Sequence, residues 1–366
     1  MSSNAEYDLA IVGGGPAGSA AAIVAARCGI RVLQLERGNF PRHKVCGEFV
    51  SSESLEVLRD LLQRDPLLTS AVTIGRFRIY AGSQQLAAAI DPLAAGISRY
   101  VLDATLMAAA QRSGAEWLQA EVLEVEHSEH FEVQTTAGPF TARMVINASG
   151  RWSRLSARQI PEGQRSFVGC KAHFLVEDAP SCNAVELFFG REGYCGVQPV
   201  QLGEQVVLNV CAMLHPGSKS GMPAALQFHP VLAQRSRLWR QCSPTTTTAP
   251  LFFRPAQPVR GSVLQVGDAA AFIDPFVGDG IAIALRTGVM AGEAAARFCR
   301  SEHSLEHCCA EYAHRYGEVI GPALRNAARL RRLLSFPPAA QASLVGAMRA
   351  LGAGKWLLTA TRSRVA

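Results

Sequence analysis

The chain has 366 residues, of which 48% are hydrophobic and 18% are charged, and its formal net charge is +6 at pH 7. This composition excludes a disordered chain and predicts a large buried core in two lobes or in one composite domain. The charge is mild and dispersed, with no basic block interleaved with aromatic residues, which argues against a nucleic-acid-binding protein.

The amino-terminal residues and the cysteines indicate the compartment. No run of about 18 unbroken apolar residues is present, so we expect no transmembrane helix. Glu6 and Asp8 lie where a signal peptide has its basic region, so none is predicted. The ten cysteines form no CxxC pair, so neither a zinc site nor a disulfide framework is predicted. We therefore expect a cytoplasmic protein without a bound metal.

A dinucleotide-binding motif lies near the start of the sequence. Leu9–Val12 is a short apolar run typical of a buried parallel strand, and Gly13-Gly14-Gly15-Pro16-Ala17-Gly18 matches GxGxxG. An Ala-rich helix is predicted to extend to about Ala26, and Arg31–Glu36 is predicted as a second strand that ends in an acid. Strand, glycines, helix, strand and acid in this order predict a bound dinucleotide.

Each part of the motif has a physical task. Gly13 makes the tight turn, Gly15 lets the backbone approach a pyrophosphate, and Gly18 lets the helix pack on the strand. The helix N-terminus attracts phosphates, and Glu36 accepts hydrogen bonds from ribose hydroxyls. The predicted cofactor-binding residues here are Gly13, Gly15, Pro16, Ala17, Gly18, Glu36 and Arg37. The motif alone does not distinguish FAD from NAD(P).

The middle of the chain predicts an antiparallel sheet. Residues 71–90 contain a short alternation of arginines with Phe77 and Ile79. Further candidate strands, separated by Gly, Pro and Asp, are Val168–Val176, Ala184–Phe189, Tyr194–Val200 and Gln205–Met213. From residue 301 onward the pattern is helical, with a break at Pro337-Pro338.

A second polar segment follows the apolar strand Ser262–Val266. Gly267-Asp268-Ala269-Ala270 places a carboxylate at the strand end, and Asp274-Pro275 and Gly278-Asp279-Gly280-Ile281 lead into another helix. An acid at the carboxyl end of a strand, beside a new helix N-terminus, suits a polyol chain and a phosphate together.

These segments resemble the FAD-dependent oxidoreductases of the p-hydroxybenzoate-hydroxylase fold, and more narrowly their geranylgeranyl-reductase-like branch, over about residues 7–300. That branch carries a GDAA…DP…GxGI segment whose aspartate contacts the ribityl–pyrophosphate region of FAD. Asp268 matches this aspartate, and Gly278, Gly280 and Ile281 match the residues that follow. The resemblance therefore implies FAD as the cofactor.

Three further segments extend the resemblance. Phe40–Glu48 is similar to the PxxKxCGE loop of the family, which lies near the isoalloxazine. Ile97-Ser98-Arg99 resembles the segment whose arginine reaches the FAD. Val145–Arg151, which includes Gly150, matches the strand that closes the FAD domain.

The resemblance implies an α/β fold with a two-lobed FAD-binding domain of the glutathione-reductase-like Rossmann type, an antiparallel-sheet substrate domain and a helical C-terminal tail. The FAD-binding domain would be assembled from residues 1–70, 96–165 and 255–300. The substrate-binding domain would comprise residues 71–95 and 166–254, and the helical region residues 301–366.

Cys46 and Tyr194 are the predicted catalytic residues. In the prenyl reductases of this family the cysteine that matches Cys46 lies by the flavin, which implies a role in protonating the reduced double bond; a buried cysteine that only packs is the alternative. Those reductases carry YxWxFP, whereas Gly193–Pro199 keeps Tyr194 but has Gly196 where Trp would stand. This change disfavours a linear C20 prenyl substrate and halogenation, and leaves space for a wider or ringed molecule. Tyr194 either contacts the substrate or packs in the sheet.

Three functions remain open. The first is a reductase or dehydrogenase that transfers hydride between flavin and a hydrophobic isoprenoid-, quinone- or polyketide-like small molecule. The second is a flavin monooxygenase that hydroxylates or epoxidises a ringed substrate, and the third is a non-catalytic flavin-binding protein. Aromatic hydroxylases usually have Asp where this chain has Ser149, so Ser149 and Cys46 favour the first function. No second GxGxxG is present, so NAD(P)H would act only as a transient reductant, or another donor would supply electrons.

Three arginines and three isolated histidines each have a simple structural interpretation. Arg325, Arg329 and Arg332 fall on one helical face, which could dock an acidic carrier protein or an anionic membrane surface; an ordinary solvated helix face is the alternative. The isolated histidines, namely His173, His215 and His229, have no ligand spacing and are predicted to be structural or solvent-facing.

Overall fold

The computed structural model describes residues 6–151, 155, 166–176, 183–190, 193–215, 221–334 and 336–354. Its strands are β1 (Tyr7–Val12), β2 (Val32–Glu36), β3 (Phe49–Val50), β4 (Val72–Ala81), β5 (Gln84–Gly96), β6 (Glu116–Gln119), β7 (Val122–His127), β8 (Phe131–Thr135), β9 (Gly138–Asn147), β10 (Phe167–Leu175), β11 (Ala184–Gly190), β12 (Gly193–Leu202), β13 (Gln205–Leu214), β14 (Arg240–Gln241), β15 (Thr246–Leu251), β16 (Val259–Arg260) and β17 (Val263–Gln265). Its α-helices are α1 (Pro16–Arg27), α2 (Ser52–Leu62), α3 (Leu67–Ser70), α4 (Arg99–Arg112), α5 (Met222–Leu226), α6 (Pro230–Arg235), α7 (Gly280–Cys299), α8 (Leu305–Val319), α9 (Gly321–Leu334) and α10 (Pro338–Ala350), and short 3-10 helices span Ser236–Leu238, Gly267–Ala269 and Pro275–Val277.

The first sheet contains the dinucleotide-binding motif. Its strands lie in the order β16-β17-β9-β1-β2-β6, and the pairs from β17 to β6 are parallel. β8 adds to β9, and β7 to β8, in antiparallel pairs. Leu9 and Ile11 of β1 pack with the helices on one face, whereas Ala10 and Val12 pack with Phe131 on the other. Both faces are covered, which explains why β1 is apolar along nearly its whole length.

The carboxyl ends of β1, β9 and β17 meet at one edge of this sheet. Gly13 follows β1, the segment Ala148-Ser149-Gly150 follows β9, and Gly267-Asp268 comes shortly after β17. Ligands of open α/β sheets bind beyond the carboxyl ends of the strands. Three segments that are distant in the sequence therefore come together where a dinucleotide would bind.

Helices α1 and α7 cross closely above the first sheet. A Cβ on Gly288 would overlap the carbonyl oxygen of Ala17, and a Cβ on Gly292 would lie 2.8 Å from the carbonyl oxygen of Ala21. The two contacts advance in the same direction along both helices, so the helices run parallel. Their N-termini consequently point to the same edge of the sheet.

The second sheet is formed by the middle of the chain. Its order is β14-β10-β13-β12-β11-β4-β5-β3, with β15 also paired to β10. The strands predicted from residue 168 onward are confirmed to within two residues at each end. The predicted antiparallel sheet is confirmed, with one exception: β4 and β11 are parallel. The chain passes through the first sheet between these strands, and such a long crossover permits parallel pairing.

The carboxyl-terminal helices complete the molecule. The predicted break at Pro337-Pro338 separates α9 from α10, and α10 packs on β4, β5 and β11 through Val345 and Met348. Residues 355–366 of the predicted helical region lie outside the described residues, and the domain boundaries remain a prediction. Within the described ranges, no helix has the length and apolar character needed to cross a membrane.

Because α1 and α7 cross closely, we expect alanine to have opposite effects on the free energy of unfolding at Gly288 and at Gly317. Gly288→Ala should lower the free energy of unfolding by about 1–3 kcal/mol, because its Cβ must push α7 away from α1. Gly317→Ala, at an exposed position of α8 where no described atom lies within 4 Å of a Cβ, should raise it by up to about 1 kcal/mol through helix propensity. Chemical denaturation measures both changes, and changes of the same sign would contradict the close crossing.

Candidate functional site

A cavity of about 920 Å³ lies between the two sheets. Its walls come from the carboxyl edge of the first sheet, the loop 37–48, the inner face of the second sheet and α10. It brings together all predicted site residues but one: Gly13, Gly15, Pro16, Ala17, Glu36, Arg37, Cys46, Arg99, Gly150, Tyr194, Asp268, Gly278, Gly280 and Ile281. Gly18 lies behind the wall, where a Cβ would overlap the carbonyl oxygen of Gly13, as expected of a glycine that lets the helix pack on the strand.

Two helix N-termini face one end of this cavity, which we call the phosphate-binding end. The N-cap residues, Gly15 of α1 and Asp279 of α7, make no side-chain capping hydrogen bond. No described atom lies within 4 Å of a Cβ built on Gly280, and the nearest to one on Gly15 is Nη2 of Arg99 at 4.0 Å. N–H groups at a helix N-terminus beside open glycine backbone are suited to phosphate oxygens, and the dipoles of both helices favour an anion there.

The turn from β1 into α1 depends on glycine. Gly13 has φ +116°, and a Cβ there would overlap the carbonyl oxygen of Ala148 at the end of β9. Only glycine adopts this backbone conformation without strain. The close approach of β9 therefore fixes the turn at the entrance to the phosphate-binding end.

Glu36 is held at the end of β2 by its neighbours. One oxygen of its carboxylate accepts from the backbone N–H of Gly14 at 2.9 Å, and the other from that of Gly38 at 2.9 Å. Arg42 Nη2 lies 2.8 Å from Oε1. Burial alone would raise the pKa of Glu36, but Arg42 and the two N–H donors lower it below its ordinary value. The group is thus an ionised acceptor at the place expected for a ribose.

Several cations surround the phosphate-binding end. Arg37, Arg42, Lys44, Arg99 and Arg151 all line the cavity. Burial, together with Arg42 and Arg99, lowers the pKa of Lys44 to about 8. This arrangement favours a dianionic pyrophosphate electrostatically.

The acids near these cations fix two of the arginines. Arg99 makes a bidentate pair with Asp103, with Nε–Oδ1 at 2.5 Å and Nη2–Oδ2 at 2.7 Å. Arg151 Nε lies 3.6 Å from Oδ2 of Asp268, and its guanidinium covers the ring of Phe272 at 4.0 Å. Asp268 keeps 39% of its side chain exposed, so it can accept from a ligand hydroxyl.

The thiol of Cys46 lies in the wall of the cavity. Its Sγ accepts from the backbone N–H of Glu48 at 3.3 Å. Burial raises the pKa of Cys46, whereas Arg99 and the Glu48 N–H act to lower it. The net rise keeps the group a protonated thiol at neutral pH, and the nearby donors would stabilise a thiolate once the proton has left.

A fully buried charged cluster lies behind Cys46, and the sequence did not predict it. The carboxylate of Glu48 accepts from the ammonium of Lys171 through Oε1, and Oε2 is 2.7 Å from Nε2 of His173. Asn209 Nδ2 donates to the carbonyl oxygens of Cys46 at 3.1 Å and Gly47 at 2.8 Å. His173 is therefore not solvent-facing, because β10 lies inside the second sheet and directs this ring at Glu48.

The apolar end of the cavity extends under α10. Its lining includes Phe77, Ile79, Ile90, Leu187, Phe189, Leu344 and Met348. Tyr194 is 5% exposed and packs between the rings of Phe189 and Phe276, at centroid distances of 6.0 and 5.9 Å. A Cβ on Gly196 would meet only Leu187 Cδ2 at 3.5 Å and backbone oxygens of Cys211 and Glu186 at 3.6 and 4.0 Å. Gly196 lines the cavity and has ordinary room for a Cβ, and Tyr194 both lines the cavity and packs in the sheet.

The remaining candidates lie away from the cavity. His229 caps α6, and its Nε2 lies 3.1 Å from the carbonyl oxygen of Gly82, which is a structural role. Arg325, Arg329 and Arg332 are all exposed on α9, as a shared face requires. Docking by this face remains a prediction.

Comparisons with known proteins agree with this site. Residues 6–186 match the family model of an FAD binding domain. Over 364 residues the chain is 29% identical to a menaquinone reductase of Mycobacterium tuberculosis, covering 92% of this chain and 86% of that protein. It is 27% identical over 357 residues to digeranylgeranylglycerophospholipid reductase 2 of Methanopyrus kandleri, covering 90% and 87%. The structure of the flavin-dependent brominase Bmp2 superposes with a TM-score of 0.81 at 19% identity, covering 97% and 93% of the two chains.

The matched family fits the residues of the cavity. The helix N-termini, the open glycines and the cations suit a pyrophosphate, and Glu36 and Asp268 suit the hydroxyls of a ribose and a ribityl chain. The expected FAD-dependent oxidoreductase of the p-hydroxybenzoate-hydroxylase fold, in its geranylgeranyl-reductase-like branch, is thus confirmed. Which residue contacts which part of FAD remains a prediction.

The lowered pKa of Lys44 predicts a pH-dependent affinity for FAD. Affinity should fall as the pH rises through about 8, because the ammonium then loses the charge that attracts the pyrophosphate. Lys44→Met should bind FAD about tenfold more weakly at neutral pH and lose this dependence. Fluorescence titration with FAD on both sides of that pH measures the effect.

The matched control for this prediction is Arg64→Met. Arg64 is exposed after α2 and does not line the cavity, so its loss removes a positive charge without changing the site. An unchanged pH dependence in Lys44→Met would contradict the assignment of Lys44 to the phosphate-binding end.

Proposed function

We propose that this FAD-dependent oxidoreductase reduces a carbon–carbon double bond in a hydrophobic isoprenoid- or quinone-like small molecule. The observation that carries the proposal is that the Cys46 thiol, the dinucleotide-binding motif and an apolar lining share one cavity. The names of the two curated relatives, a menaquinone reductase and a digeranylgeranylglycerophospholipid reductase, support the same substrate class.

The reaction requires a hydride and a proton on neighbouring carbons. Reduced FAD, when bound, supplies the hydride chemistry. Cys46 supplies the proton: its S–H bond breaks, a C–H bond forms at the neighbouring carbon, and the sulfur keeps the electron pair as a thiolate. The Glu48 N–H and the Arg99 guanidinium stabilise that thiolate until solvent returns a proton.

The apolar end selects the substrate. Its lining by Phe77, Ile79 and Leu187 excludes water and offers no charge to pair with an ionic substrate. The space beside Gly196 suits a ring or a branched chain rather than a slim linear one. An isoprenoid attached to a ring satisfies both conditions.

The second candidate function is oxygen insertion into a ringed substrate. The space beside Gly196 favours it, but the residue after Ala148 is Ser149, whose hydroxyl donates to Asn147 Oδ1 and so offers no carboxylate to the cavity. NAD(P)H remains the proposed transient reductant. An acidic carrier protein that docks on the arginines of α9 remains a further prediction.

An anaerobic half-reaction tests the proposed function. The FAD-loaded protein is reduced with dithionite and mixed, without oxygen, with a menaquinone or a geranylgeranyl lipid, and the absorbance of oxidised flavin is followed. Its return, with a product that has gained two hydrogens across a carbon–carbon double bond rather than on the quinone oxygens, supports the proposed reductase. No return with any unsaturated lipid, but two-phase reoxidation by oxygen with hydroxylation of a ring, would establish the monooxygenase instead.

Replacing the proton donor should slow the step in which the substrate is reduced and the flavin is reoxidised. Cys46→Ala is expected to form product about 10²-fold more slowly, because a positioned proton donor contributes at least that much. Cys242→Ala, which removes an exposed cysteine, should react as the wild type does. Rapid-quench analysis of the product measures both rates, and an equal rate in Cys46→Ala would remove the thiol from the mechanism.

Filling the space beside Gly196 should change substrate choice. Gly196→Trp has ordinary room for its Cβ, and its indole would narrow the apolar end. We expect KM for a ringed substrate to rise about tenfold while KM for a linear isoprenoid changes little. Equal effects on both substrates would show that Gly196 does not set the width.

A further inference from the structure

Glu48 combines two unfavourable features. Its backbone has φ +60°, in the left-handed region that few residues other than glycine adopt, and its side chain is completely buried. Burial of a carboxylate is costly unless the charge is paired and hydrogen-bonded. Glycine would form the same turn with less strain, so the turn itself does not explain why an acid is present.

The side chain of Glu48 connects separate parts of the molecule. Its Oε1 accepts from Ser98 Oγ at 3.1 Å and from the backbone N–H of Arg99 at 2.7 Å, at the start of α4. The same carboxylate pairs with Lys171 and His173 on one face of β10. One buried group thus ties the loop 37–48 to the FAD-binding side and to the second sheet.

The backbone around Glu48 is fixed on both sides as well. Its carbonyl oxygen accepts from the N–H of Ile97 at 3.1 Å, and its own N–H donates to Cys46 Sγ at 3.3 Å. Asn209 secures the carbonyl oxygens of the two preceding residues, Cys46 and Gly47. The position of the Cys46 sulfur in the cavity wall is therefore set by the turn that Glu48 closes.

We propose that Glu48 is a positioning residue: by pairing with Lys171 and His173 and accepting from the Arg99 N–H, it holds the Cys46 thiol and the Arg99 guanidinium together in the cavity wall. The chemical purpose of this arrangement rests on the proposed function, in which Cys46 gives a proton. The arrangement itself is testable without turnover.

The pairing also balances the charge that acts on the thiol. The groups that act on Cys46 are Arg99 from α4, Lys171 from β10, Cys211 from β13 and Glu48 itself. Arg99 is already neutralised by Asp103, so Glu48 is the counter-charge of Lys171. Loss of the Glu48 charge would leave Lys171 to attract a thiolate at Cys46.

Glycine at position 48 separates the turn from the carboxylate. Glu48→Gly keeps the favourable backbone but removes every contact of the side chain. We expect Cys46 in the FAD-loaded protein to react with iodoacetamide about tenfold faster, and FAD to dissociate about tenfold more readily, because the loop and the start of α4 are released. Peptide mass mapping resolves Cys46 from the other cysteines.

The matched control is Gln63→Gly. Gln63 also has a left-handed backbone, with φ +57°, but it is exposed at the end of α2 and away from the cavity. It should leave Cys46 alkylation and FAD binding unchanged. The proposal is overturned if Glu48→Gly behaves like this control.

A second variant tests the charge if Glu48→Gly does not fold. Glu48→Gln keeps an oxygen for Ser98 and for the Arg99 N–H but no longer balances Lys171, so the pH midpoint of Cys46 alkylation should move to lower pH. An unmoved midpoint would overturn the proposal. If Cys46→Ala turns over as fast as the wild type while the Glu48 variants give the expected alkylation results, the proposed function is refuted. The positioning role of Glu48 then still stands.

Discussion

The carboxylate of Glu48 joins the loop 37–48 and the start of α4 to β10 of the second sheet by ion pairs and hydrogen bonds. A buried ion is stable only when its partners are already in place, so Lys171 and His173 on the second sheet and the start of α4 must be positioned together. The same contacts fix the loop that carries Cys46 and orient the arginine that faces it.

The cavity is lined by the dinucleotide-binding motif and charged side chains as well as by apolar side chains. At one end, the parallel crossing of α1 and α7 directs two helix dipoles at the place where β1, β9 and β17 end. At the other end, the second sheet and α10 offer an apolar enclosure. The cavity wall also holds the Cys46 thiol, whose pKa is raised by burial, beside Arg99 and the Glu48 N–H, which act to lower it. The proposed reduction would bring a dinucleotide, a lipophilic acceptor and a proton source together in this cavity.

Much of this arrangement could be predicted from the sequence, because local spacing encodes it. The run from Leu9 to Glu36 contains strand, turn, helix and acid within one βαβ unit, and the strands of the second sheet follow from short apolar runs between turn residues. The charged cluster could not be predicted in the same way, since Glu48 and Lys171 are 123 positions apart. A weak signal existed: Lys171 and His173 lie two residues apart in a predicted strand, so they share a face. That spacing does not say which acid the face meets.

The central claim is that hydrogen, and not oxygen, is added to a lipophilic substrate. The most direct measurement is the mass of the product after one turnover of the reduced protein with a prenylated quinone in deuterium oxide under oxygen-18. The account predicts a product that has gained two hydrogens across a carbon–carbon bond, at least one of them deuterium from the exchangeable thiol, and no heavy oxygen. A product that carries oxygen-18 would contradict it.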